Sequence, residues 1–120
     1  MGKRSRKKVR AGSVPARPAA TSYTDRDGNV LTLRDELSSG TLHGLEQLDA
    51  RPAAGAEDLW QRRVEYLFER LAVRWELAGL PLEGQRELLG RFRMASPEER
   101  KAVREALDEH LSAHHPDVRL

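Results

Sequence analysis

Residues 57–78 read EDLWQRRVEYLFERLAVRWELA, and the reading of this stretch decides the fold. At 100° per residue Trp60, Val64, Leu67, Phe68, Leu71, Trp75 and Ala78 fall within an arc of about 100°, the width of a stripe that faces a core. The pattern predicts one amphipathic helix of about six turns. Gly79 and Pro81 follow, a glycine suited to a left-handed cap and a residue that cannot continue the ladder, and together they predict its end. Pro81 then opens a second helix over about residues 82–94, on which Leu82, Leu88, Leu89 and Phe92 share a face. Gly84 and Gly90 each cost that helix about 1 kcal/mol relative to Ala, so it depends on packing.

Further along, Ser96-Pro97-Glu98-Glu99 combines a Ser N-cap, Pro at the first helical position and Glu at the third, which predicts a capping box and a third helix. That helix runs over about residues 97–113, burying Val103, Ala106, Leu107 and Leu111, and Pro116 ends it. Upstream, Asp27-Gly28-Asn29 supplies residues that tolerate positive φ and precedes the β-prone Val30-Leu31-Thr32-Leu33, so residues 23–33 predict a short hairpin. An isolated hairpin is marginal in water, and a short helix carrying Leu37, Leu42, Leu45 and Leu48 is placed to support it. Arg51 to Gly55 reads as a linker. The fold expected is therefore mainly α: a three-helix bundle with a short N-terminal β-hairpin, preceded by a disordered basic tail over residues 1–22.

The net charge of +2 conceals a division along the chain. Residues 1–22 hold seven basic side chains and no acid, whereas residues 23–120 hold 14 basic and 19 acidic ones. Almost nothing in the tail is both apolar and larger than Val, so burial there cannot offset ordering entropy. It also lacks the apolar run of a secretory signal. With 38% hydrophobic and 33% charged residues no membrane-spanning run is present, and the absence of cysteine fits a reducing compartment, so a cytoplasmic protein is expected. Seventeen Arg stand against four Lys, with abundant Ala, Leu and Gly. In this bias and in its layout the chain resembles small proteins of high-GC Gram-positive bacteria of unassigned role, a resemblance that implies no activity.

Candidate chemistry is sparse. His110 and His114 stand four apart at the end of the third helix, with His115 and Asp117 next, a spacing that brings two imidazoles to one side. The zincin pattern requires Glu directly after the first His, where Leu111 stands, and no fourth ligand is fixed by spacing, so no metal is assigned. Asp25, Asp27, Asn29 and Glu36 approach a calcium-loop pattern, but its obligatory Gly position holds Val30, and a hairpin turn accounts for the same residues. No nucleophile elbow or phosphate-binding glycine loop occurs, and the expectation is a non-enzymatic protein without cofactor.

Two contact surfaces are expected instead. Lys3, Arg4, Arg6, Lys7, Lys8 and Arg10 place six basic residues within eight positions, an arm suited to nucleic-acid phosphates or a ribonucleoprotein. On the helix read at 57–78, Leu59, Tyr66, Val73 and Leu77 form a second apolar stripe, separate from the core stripe and bordered by Arg63, Arg70 and Arg74. That stripe is expected to meet the hairpin, an unidentified protein partner or a second copy of the chain. The function expected is that of a small interaction or adaptor protein with a helical docking surface and a phosphate-attracting tail. The alternative is a nucleic-acid-binding accessory protein whose tail is the main contact and whose body dimerises.

Overall fold

The computed structural model describes residues 19–50, 55–118 and 120. The hairpin comes first, as strands β1 (Ala20–Thr24) and β2 (Val30–Arg34). Its loop is tied by Asp25, whose Oδ1 accepts from the backbone N–H groups of Asp27 at 2.8 Å and Asn29 at 3.0 Å, and Gly28 takes a φ of 83°. These bonds employ the carboxylate that a calcium loop would need. Helix α1 (Ser39–Ala50) follows, and then α2 (Ala56–Leu71).

At Leu71 the chain departs from the helix expected over 57–78. Ala72 caps α2 through its N–H to Phe68 O and at the same time begins strand β3 (Ala72–Leu77) in extended geometry. Ala78 and Gly79, with φ of 52° and 79°, then form a two-residue turn of the kind that suits the twist of a hairpin, and β4 (Leu80–Glu83) returns along β3. Gly79 therefore turns a hairpin and does not cap a helix. Pro81 sits in an edge strand, where a missing N–H costs no ladder bond. Helix α3 is correspondingly shorter than the 82–94 expected, at Gln85–Arg93, with Leu82 left in β4. Helix α4 (Pro97–His114) starts with the capping box complete: Ser96 Oγ accepts from Glu99 N–H and Glu99 Oε1 accepts from Ser96 N–H. That backbone bond, helped by the Arg91 guanidinium, holds the Glu99 carboxyl below the usual carboxylate range.

The chain is thus not a three-helix bundle with an appended hairpin. Among the described residues, four helices accompany a four-stranded antiparallel sheet in the order β1-β2-β3-β4. The tail expected through residue 22 is also shorter at its inner end, because Ala20 to Ser22 pair with Thr32 to Arg34; residues 1–18 lie outside the described residues. The β2–β3 register slips between Thr32 and Leu33 and leaves Val73 as the extra residue of a bulge. The bulge lets Ala72 as well as Trp75 and Leu77 address one face of the sheet. Leu31 and Leu33 lie on the same face, and with Phe68 of α2 and Leu88 and Phe92 of α3 they build the core. At its centre Phe68 stacks on Phe92 with centroids 4.7 Å apart and meets Trp75 edge-on at 5.6 Å. The opposite sheet face is polar: Ser22 Oγ pairs with Thr32 Oγ1 at 2.8 Å, and Arg74 lies 3.6 Å from Glu76.

Candidate functional site

The second apolar stripe of the sequence reading does not exist as one surface. Leu59, Arg63, Tyr66 and Arg70 lie on α2, whereas Val73, Arg74 and Leu77 lie on β3. Helix α1 covers Tyr66, whose hydroxyl donates to Thr41 O at 2.9 Å; Gly44 leaves the room for the ring, since a Cβ there would collide with the hydroxyl. Arg63 pairs with Asp49 of α1 at 2.6 Å, Arg70 stacks over the Tyr66 ring at 5.1 Å, and Leu77 packs against the core. The six arm residues Lys3, Arg4, Arg6, Lys7, Lys8 and Arg10 lie outside the described residues.

What the structure does bring together lies between the hairpin and α4. His110 is completely buried, and both of its ring nitrogens are engaged. Its Nε2 lies 2.6 Å from Arg34 O, and a carbonyl only accepts, so Nε2 carries the proton and donates. In the neutral ring Nδ1 is then the acceptor, taking the Tyr23 hydroxyl at 2.8 Å, with the two rings edge-on at 5.5 Å. Burial is the main cause that depresses the His110 pKa below 6.5, with His114 and His115 adding to it, so the neutral form this bonding requires is the favoured one. Burial, followed by the charges of Glu109 and Asp35, raises the Tyr23 phenol above 10.0 and keeps its proton in place.

Two more histidines continue this attachment. His115 Nε2 bonds Asp35 O at 2.6 Å, and His114 Nε2 lies 3.6 Å from Asp35 Oδ1, which also accepts from Thr21 Oγ1 at 2.6 Å. The end of α4 therefore clamps the open end of the hairpin through consecutive carbonyls of β2 and the residue after it. The sequence spacing identified the histidines, but Thr21, Tyr23, Arg34 and Asp35 carried no signal, because they lie up to 93 residues away along the chain.

Asp35, His110 and His114 offer ligand atoms within 4.8 Å of one another. Ligation by His110 would strand either the Arg34 carbonyl or the Tyr23 hydroxyl in a buried place, at a cost of about 1–3 kcal/mol. His114 and Asp35 alone are two protein donors, fewer than the three or four of a zinc site. Nor does the cluster resemble an acyl-transfer site: the Thr21 hydroxyl donates to a carboxylate, and His114 is 3.5 Å away.

At its other end the hairpin stands away from α4. A groove of about 1030 Å³ opens between the Asp25–Asn29 loop and the first three turns of the helix. The core residues Leu31, Trp75, Val103 and Ala106, each buried, lie at its base, and its rim carries Asp25, Asp27, Glu98, Glu105 and Glu109 against Arg26 and Lys101. None of these seven charged side chains joins an ion pair among the described residues. Among those residues, too, no helix is long and apolar enough to cross a membrane. No protein-family model matches the chain, and neither a curated protein nor a solved structure matches it.

Proposed function

We propose that this is a small non-enzymatic interaction protein of the cytoplasm, and that the groove between the hairpin loop and α4 is where it docks an extended cationic polypeptide segment. The observation that carries this reading is the groove's rim, on which five carboxylates stand against two cations above a narrow apolar base. Such a rim attracts Lys and Arg side chains, whose aliphatic stems cover apolar surface while their heads stay near carboxylates and water. The docking surface moves with the fold: the stripe expected on one long helix is split between α2 and β3, while α4 and the hairpin form a concave face.

Titrating the full-length 15N-labelled protein with a synthetic Lys/Arg-rich peptide tests the reading, with Lys3, Arg4, Arg6, Lys7, Lys8 and Arg10 changed to Gln so that no basic run of the chain itself competes. Amide shifts are expected at Asp27, Lys101 and Glu105, weakening steeply with added salt because the rim charges are exposed. Unchanged groove amides at saturating peptide would overturn it.

A second reading rests on Lys3 to Arg10. Six basic residues within eight positions support an arm that contacts nucleic-acid phosphates or a ribonucleoprotein, with the body as an accessory. Duplex affinity that falls steeply with salt and disappears when the arm residues are changed to Gln would support it.

A further inference from the structure

We infer that the groove's occupant is this chain's own basic arm, residues 3–17, held intramolecularly between the hairpin loop and α4. The inference rests on the groove reading above and names the segment. Charge is the first argument: the arm contributes seven of the chain's 21 basic residues and no acid, and the groove rim presents Asp25, Asp27, Glu98, Glu105 and Glu109 without ion-pair partners among the described residues.

Tethering is the second. The arm runs directly into β1, and Ser22 to Thr24 of that strand are themselves one wall of the groove. From Ala19 the strand covers about 17 Å to Thr24 at about 3.4 Å per residue. Arg10 lies nine residues before Ala19, a reach of about 30 Å, so the whole run Lys3 to Arg10 can return to the rim. A short tether of this kind gives an effective concentration of millimolar order, enough for contacts that would be weak between separate molecules. Moreover, among the described residues β1 is an edge strand with no sheet neighbour on its outer side. The arm is thereby withheld from phosphates, which must outcompete five carboxylates to capture it.

The chain contains no cysteine, so Ser5→Cys gives a single site for a nitroxide label on the full-length protein. At low salt the label is expected to remove most of the amide intensity of Asp27, Lys101 and Glu105 while sparing α1. In about 1 M salt, where the Debye length is about 3 Å, that loss should disappear, as it should in the Asp27→Lys/Glu105→Lys variant. Groove amides broadened no more than α1 would overturn the inference. Broadening seen only when labelled chains are mixed with separate 15N-labelled chains would also overturn it, because the arm would then serve a neighbour. The added Lys/Arg peptide separates the two readings: if it shifts the groove and the label does not broaden it, the groove reading stands and its occupant is another chain. If neither acts, both fail.

Discussion

The two ends of the β1–β2 hairpin meet the same helix in opposite ways. At the open end of the strands, His110 of α4 and its C-cap residue His115 hold the carbonyls of Arg34 and Asp35 at 2.6 Å, and His114 faces the Asp35 carboxylate. At the loop end, α4 presents Glu98, Glu105 and Glu109 toward Asp25 and Asp27, and the two elements stand apart around a groove. Like charge and directional bonding thus divide one helix–hairpin contact into a fixed half and an available half. The lesson is that one helix can fix a hairpin at one end through directional bonds to its backbone and leave charged side chains facing solvent at the other.

The largest expected effect is on the fixed half. His110→Ala leaves a cavity and orphans both the Tyr23 hydroxyl and the Arg34 carbonyl, so a loss of about 2–4 kcal/mol is expected in denaturant unfolding. If the variant unfolds at the same denaturant concentration as the parent, the clamp contributes nothing and the comparison fails. Acid should act on the same residue. The folded pKa of His110 lies below 6.5, so between those two values the unfolded chain binds more protons than the folded one. Stability should hold above pH 6.5 and fall as pH drops below it; in His110→Gln that part of the pH dependence should be gone. The groups facing His110 are Tyr23, Asp35, His114, His115 and Glu109, so the comparison needs this variant as well as the parent.

Smaller effects follow from the supports. Ser96→Ala removes one half of the capping box that fixes the start of α4 beside the groove and should cost about 1 kcal/mol by thermal melting. Ala78→Asn relieves a non-glycine residue at a φ of 52° and should raise stability by about 0.5–1 kcal/mol, provided its N–H keeps the 3.0 Å bond to Asn29 Oδ1. At the available half, Glu105→Gln should change stability by no more than about 0.5 kcal/mol while weakening capture of a cationic segment. A Glu105→Gln protein that loses stability as His110→Ala does would erase the distinction between the two ends.

How far the sequence could be read depended on whether an element announces itself locally. The Ser96 cap and the Asp27-Gly28-Asn29 turn are local, and both elements appear where these residues place them. Strand β3 is different. Leu71 and Trp75 satisfy a helical i, i+4 spacing, and the Val73 bulge breaks the alternation that would have marked 72–77 as a strand. Its place is set by pairing with β2, about 40 residues earlier, which leaves no local trace. Pro81 read as a helix start, and an edge strand accepts a proline as readily. The histidine spacing was legible as a cluster, but its partners come from the hairpin through contacts as much as 93 residues apart, so a clamp was not distinguishable from a ligand set. The acidic residues of α4 read as a solvated helix face; only the position of the hairpin loop makes them one rim of a groove.

The clamp is tested most directly by long-range 1H–15N spectra of the histidine rings, followed from pH 7.5 downward on the intact protein. The bonding described here predicts that His110 is the Nε2–H tautomer, with Nδ1 unprotonated, and that it stays neutral as the pH falls through 6.5. An Nδ1–H tautomer, or a His110 ring that titrates freely near 6.5 in the folded protein, would contradict it.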